Sequence, residues 1–236
     1  MPRVGRLGRW AGFGAGAALL LFLGWAMLSG RSGGLDLGAA PGPFTGRKLV
    51  ALRSDPTDCR AKLALAGVRF TRLPPRDDGA TCGWRDGLRL EGGGAVGPRL
   101  SPGGAPMTCP VAAALAMWDW SVVQPAARRY LGTPVVEIKQ LGTYNCRRIA
   151  GSASWSEHST ANAIDVAGFR FADGRRLTIK DDWRGRGPEA TFLHEVRTGA
   201  CRVYATVLSP DYNRAHYDHL HLDQAARGEL GWRSCR

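Results

Sequence analysis

Histidine is scarce in this 236-residue chain, which has five, yet His216, His219 and His221 fall close together in Asn213-Arg-Ala-His-Tyr-Asp-His-Leu-His-Leu-Asp. A fourth, His158, precedes Asp165 in Ser156-Glu-His-Ser-Thr-Ala-Asn-Ala-Ile-Asp. Imidazole nitrogen and carboxylate oxygen are donors that zinc favours, and a catalytic zinc keeps three protein ligands with an open position for water. Two histidines and Asp165 would meet that count. Residues two apart on a strand share a face, so His219 and His221 would enter one cleft while Leu220 and Leu222 turn into the core. One of the two would bind metal and the other would work beside it. His158 and Asp165 are too far apart for one helical turn, which puts His158 on a loop entering the strand that carries Asp165. A polar strand face or a capping carboxylate would explain either segment alone; both together favour a metal site.

The elements that must position these residues are legible in part. Between Pro110 and Leu131, Val111, Ala114, Leu115, Trp118, Val122 and Val123 recur at helical spacing, and Pro125 either kinks that helix or starts a second one. Trp118 and Trp120 are expected in the core rather than as stacking platforms for sugars. Val135 to Leu141 alternates as a half-buried strand does, and further strands are expected at 163–169, 177–179, 202–208 and 219–222, with a helix over 189–198. Strands and helices that do not alternate regularly imply an α+β fold, a mainly antiparallel sheet flanked by helices with the zinc cleft on the sheet.

Upstream, Arg3, Arg6 and Arg9 precede an uncharged run from Trp10 to Gly30, long enough for a bilayer-spanning helix. The positive-inside rule keeps 1–9 cytoplasmic and exports the rest. The expected location is therefore the inner membrane, as a single-pass protein with its C-terminal domain in the periplasm; cleavage of a signal peptide and release to the periplasm is the alternative. Residues 31–47, rich in Gly, Ala and Pro, read as a flexible linker. A cysteine-clipped subdomain is expected over 48–108, with Gly92 to Gly104 as a loop, and the metal-bearing domain over 109–236. All six cysteines lie beyond the apolar run, as expected for disulfides in an oxidising compartment. Proximity in sequence suggests Cys59 with Cys82, Cys109 with Cys146, and Cys201 with Cys235. A formal charge of +12 suits an anionic partner, and export argues against nucleic acid. The arginines are scattered, so a solvated basic surface accounts for the charge equally well.

The stretch from Leu141 to Asp223 resembles the bacterial extensin-like protein C-terminal domain, through Thr143-Tyr-Asn-Cys-Arg, Ser156-Glu-His, Asn162-Ala-Ile-Asp-Val-Ala-Gly-Phe and the histidine segment. More remotely, the pattern is similar to zinc peptidases of the lysostaphin, D-alanyl-D-alanine peptidase and hedgehog group, with Ala161 standing where that motif has glycine. The remote resemblance implies Zn²⁺ on His158, Asp165 and His221, with His219 as a non-ligand active-site histidine and His216 near the attacking water. It also implies a role for Arg147 toward a substrate carboxylate or oxyanion, Arg148 being the weaker candidate. Asp218 is an alternative base, which strand alternation would turn away from the cleft. The implied activity is periplasmic amide hydrolysis in peptidoglycan stem peptides or cross-links, of the D,D- or L,D-peptidase kind. The competing expectation is a zinc-containing module that binds or organises cell wall without cutting it; a disulfide-clipped structural protein without metal is a third.

Overall fold

The segment Cys109-Pro-Val-Ala-Ala-Ala-Leu-Ala-Met-Trp is uncharged and apolar on every side, so a helix made from it has no face to offer water and must be covered all round. Every residue of the helix Cys109–Trp118 is buried. Its coverage organises the rest of the chain. The structure, a computed structural model, describes residues 16, 34–95, 97–227 and 233–236.

The helices are α1 (Thr45–Ala51), α2 (Pro56–Leu65), α3 (Cys109–Trp118), α4 (Gln124–Leu131), α5 (Ile179–Asp182) and α6 (Pro188–Ala200). The strands are β1 (Phe70–Arg72), β2 (Arg76–Asp77), β3 (Gly83–Trp84), β4 (Gly87–Leu90), β5 (Arg99–Ser101), β6 (Pro106–Thr108), β7 (Val135–Gly142), β8 (Ala163–Phe171), β9 (Arg176–Thr178), β10 (Thr206–Leu208), β11 (Leu220–Asp223) and β12 (Ser234–Cys235). Between α3 and α4 the backbone widens into a π turn, Asp119–Val123. Pro125 supplies the reason: it has no N–H for the residue one turn back, and its ring would strike that carbonyl. The proline thus does both things expected of it.

The main sheet has seven strands in the order β12-β10-β11-β8-β7-β5, with β9 also on β8. Its central pairs β7/β8, β8/β11 and β10/β11 are antiparallel, whereas the outer pairs β5/β7 and β10/β12 are parallel. The α+β expectation therefore holds, with a mixed rather than purely antiparallel sheet. One face is covered by helices: Trp118 of α3 stacks at 6.0 Å on Phe169, and Phe192 of α6 meets Phe169 and Phe171 edge-on. The Trp118 indole N–H donates to the Val196 carbonyl at 2.8 Å, tying α3 to α6.

Strict alternation along β8 would put Asp165 on the same face as Phe169 and Phe171. It does not, because Lys139 and Gln140 of β7 face Gly168 and Val166, leaving Ala167 as an extra residue. That bulge shifts the parity of the strand. Ile164 and Val166 before it and Phe169 and Phe171 after it all reach the core, and Asp165 points the other way. A second shift, at Leu141, lies across from it in β7.

Several sequence expectations change. Leu35–Arg236 form one compact unit, so folding starts at Leu35 rather than near Lys48. Leu37 is buried in the shared core with Leu49, Leu52 and Leu63 against α3, so its part of the 31–47 segment is packed rather than a free tether. For the same reason 48–108 has no core of its own, and the proposed boundary at 108/109 runs through a covalent bond: Cys59 joins Cys109, and Cys82 joins Cys146. Only Cys201–Cys235 pairs as sequence proximity suggests. Proximity ranks loop lengths, but packing brings α2 to the first turn of α3, and that decides the partner of Cys59. The Gly92–Gly104 stretch contains the edge strand β5, and of the strand expected over 202–208 only Thr206–Leu208 is extended. The expected anchor, 10–30, lies outside the described residues except for residue 16; among the described residues no helix is long and apolar enough to cross a membrane.

Trp118→Ala should lower unfolding stability by about 3–5 kcal/mol, the usual result of emptying a packed aromatic site. Leu65→Ala, at a side chain 88% exposed, should change it by less than ~0.5 kcal/mol. Urea denaturation followed by fluorescence separates the two.

Candidate metal centre

Asp165 stands at mid-register between two strands, opposite His221 on β11 and Gly142 on β7. Leu220 and Leu222 are fully buried beneath it, as the alternation of His-Leu-His-Leu requires. His158 comes from a 3-10 turn, Glu157–Thr160, just before β8. Ser156 caps that turn by accepting from the His158 N–H, and Ala161 ends it in the left-handed region at φ 54. Buried Asn162 then pins the turn in place. Its amide nitrogen donates to Glu157, and its amide oxygen accepts from the Thr108 hydroxyl at 2.8 Å.

These elements bring three donor atoms into a triangle. His158 Nε2 is 3.1 Å from His221 Nδ1 and 3.1 Å from Asp165 Oδ1, and His221 Nδ1 is 3.0 Å from Asp165 Oδ1. The opposite side of each imidazole is also engaged. His158 Nδ1 lies 3.2 Å from the Thr143 carbonyl, and His221 Nε2 lies 3.0 Å from Asp223 Oδ2. A carbonyl can only accept, so His158 carries its proton on Nδ1; Asp223 selects Nε2 on His221 in the same way. With both rings neutral, three lone pairs face one another, and only a positive species between them relieves the repulsion. Second-side acceptors of this kind are what orient metal-binding histidines.

A proton does part of that work. Burial pushes His221 down, but the hydrogen bonds and charges of Asp165 and Asp223 outweigh it and raise it to about 9. Burial likewise opposes ionisation of Asp165, and His158 and His221 overcome it, holding the carboxyl well below its ordinary range.

The remaining sequence candidates surround the triangle. His219, one residue before β11, directs Nε2 to within 3.6 Å of Asp165 Oδ1, and its Nδ1 bonds Asp218 Oδ1 at 2.8 Å. Asp218 is thus not an independent base turned from the cleft; it holds the His219 ring, because the backbone there precedes the strand and does not alternate. The His216 ring lies tilted 5.2 Å from His219 and edge-on 6.0 Å from His221, with Nδ1 against Asn213 Oδ1 at 2.7 Å. Burial, then the neighbouring His219 and His221, push it down to about 4, so it is neutral at pH 7. Arg147 is exposed, and its charge contributes to that lowering, although it makes no hydrogen bond to the triangle. Arg148 is committed elsewhere, 4.6 Å over the Trp155 ring. Sequence reading missed Thr143 and Asp223 as supports; the spacing of His221 and Asp223, two apart on one strand, was the available signal for the second.

Two outcomes follow. In EDTA-treated protein the raised His221 contributes stability below its unfolded value near 6.5, and that contribution is lost as pH rises through about 9. Thermal midpoints should therefore fall across that window, and Asp223→Asn should flatten the fall. At Ala161, left-handed strain of ~1–2 kcal/mol is offset by the chain entropy a glycine would add, ~0.4–1 kcal/mol, and by the buried methyl, ~0.8 kcal/mol. Ala161→Gly should thus leave stability within about 1 kcal/mol, whereas Ala161→Val, β-branched in the left-handed region, should cost more than ~2 kcal/mol in denaturant titrations.

No curated protein and no solved structure matches this chain. A family model does, over residues 57–236, which include α2 from its second residue, the whole main sheet and every residue of the triangle. The chain belongs to the family described as extensin-like protein C-terminus.

Proposed function

We propose that this protein is an exported zinc-dependent peptidase that hydrolyses amide bonds in peptidoglycan stem peptides or cross-links. The observation that carries the reading is the triangle of His158, Asp165 and His221, with each imidazole fixed from behind by an acceptor. Tetrahedral ligands about 2.0–2.1 Å from zinc lie roughly 3.3 Å apart, close to the separations here. Calcium or magnesium would call for more oxygen donors than one carboxylate. The remote likeness to zinc peptidases points the same way.

Zinc held there would polarise an amide carbonyl and bring the pKa of a water toward neutrality. The chain's own residues then divide the proton handling. His219, its Nδ1 proton held by Asp218, presents Nε2 to the cleft and can accept a proton or donate one to a developing oxyanion. His216, neutral at pH 7 with Nδ1 on Asn213, offers Nε2 as the alternative base. Arg147 supplies positive charge at the rim for a substrate carboxylate. Tyr212 and Tyr217, both exposed, flank His216 where an extended peptide would lie. Export through the N-terminal segment and the basic charge are the grounds for choosing a cell-wall substrate. The second reading, a zinc-containing wall-binding module, predicts the same metal and no cleavage.

Purified protein should hold one zinc per chain by elemental analysis, and His158→Ala, Asp165→Ala or His221→Ala should lose it. Incubation with muropeptides followed by mass spectrometry should show a cut amide. His219→Ala and His216→Ala should keep zinc, with at least one of them slowing turnover by about 10²–10⁴-fold. Zinc retained without any cleavage selects the binding module; absence of stoichiometric zinc from wild type sinks both. Because protons compete for the same nitrogens, zinc affinity should weaken as pH falls below about 9.

A further inference from the structure

A cavity of ≈ 670 Å³ opens between α1–α2, the β2–β3 hairpin and the start of α3, and none of the triangle residues lines it. That volume is in the range of small-ligand sites, about 300–1,000 Å³. Its walls carry Arg53, Arg76, Arg85, Asp77 and Asp86. Two of these charges are paired with an opposite charge, and a third, Asp77, is engaged by a backbone N–H. Asp86 pairs with Arg60 at 2.8 Å, Arg76 pairs with Asp78 at 2.7 Å, and Asp77 accepts from the Gly79 N–H at 2.9 Å. Arg53 and Arg85 make no ion pair or hydrogen bond among the described residues, and both are exposed at the cavity. The uncommitted charged donors of this cavity are therefore two guanidinium groups, whose planar forks match carboxylate and phosphate oxygens. Its floor is apolar, formed by Pro56, Pro110 and Leu52, so bound oxygens would sit partly shielded from water.

We infer that this cavity is a second binding site, for an oxyanion-bearing segment, carboxylate or phosphate, held between Arg53 and Arg85. It is separate from the metal centre and does not depend on zinc. It is also mechanically connected to that centre, because Thr160 of the turn bearing His158 lines the cavity and Cys82 in its wall is bonded to Cys146, next to Arg147. A polymer carrying acidic groups could thus be gripped at one place and presented at the other.

The test is calorimetric titration of the full-length protein in detergent at low salt, with Ac-Ala-Glu, its neutral counterpart Ac-Ala-Gln, and inorganic phosphate as probes. Wild type, the double variant Arg53→Ala/Arg85→Ala and His158→Ala are compared. The site predicts saturable binding of Ac-Ala-Glu or phosphate, with Ac-Ala-Gln weaker and affinity in the double variant reduced at least tenfold. His158→Ala should bind as wild type does. Whichever oxyanion binds more tightly identifies its source as a peptide carboxylate or a phosphate group. Equal binding by wild type and the double variant overturns the site, as does loss of binding in His158→Ala, which would assign the oxyanion to the metal centre. No saturable binding of either oxyanion overturns it as well. Both arginines are on the surface, so circular dichroism of the double variant should match wild type, which ties lost binding to the cavity.

Discussion

Three electron pairs that would repel one another are forced together on Asp165, His158 and His221, and much of the sheet can be understood as what holds them there. The triangle is about 3 Å on a side, and with both imidazole protons held on the outer nitrogens a carboxylate at that distance calls for a proton or another positive charge between the three groups. The protein meets the difficulty by anchoring each group from outside. Thr143 holds one ring, Asp223 the other, and the β8/β11 ladder fixes Asp165 opposite His221. Such a geometry is over-determined: each group is fixed both by its own backbone and by a partner outside the triangle.

The support behind these anchors begins in α3. A helix buried on all sides gives the sheet a rigid support on one face and gives α1, α2 and the preceding chain something to cover on the other. It also reaches the site directly, because Thr108 at its N-terminal end bonds Asn162, which pins the turn carrying His158. A packing decision in the core is therefore felt in the position of His158.

A second brace comes from the β2–β3 hairpin. Arg76 lies 4.8 Å over the Tyr144 ring, Tyr144 meets Trp84 edge-on at 5.1 Å, and the Tyr144 hydroxyl bonds Asp78. With the Cys82–Cys146 disulfide, these contacts clamp the segment 143–147 against the hairpin. Thr143, at the start of that segment, is the residue that orients His158. The early part of the chain is thus part of the site's foundation, which explains why it has no independent core.

The donor groups of the candidate site were readable from residue types: scarce histidines clustered near one another, an Asp seven residues beyond a fourth, and leucines alternating with His219 and His221. Those patterns are local, and local periodicity is enough to name the donors and the face on which His221 lies. The expectation of export, too, rests on composition and on where the cysteines fall. What the chain order did not reveal were relations between distant segments. Two of three disulfides, the edge strand β5, the role of Asp218 and the support from Thr143 depend on which elements meet in space. The bulge at Ala167 is the clearest case, since alternation alone places Asp165 on the core face with Phe169 and Phe171. Sequence determined which atoms could share a metal; only the tertiary structure, by inserting one unpaired residue into a ladder, decided that the carboxylate would face the histidines, because a strand's parity is set by its partner.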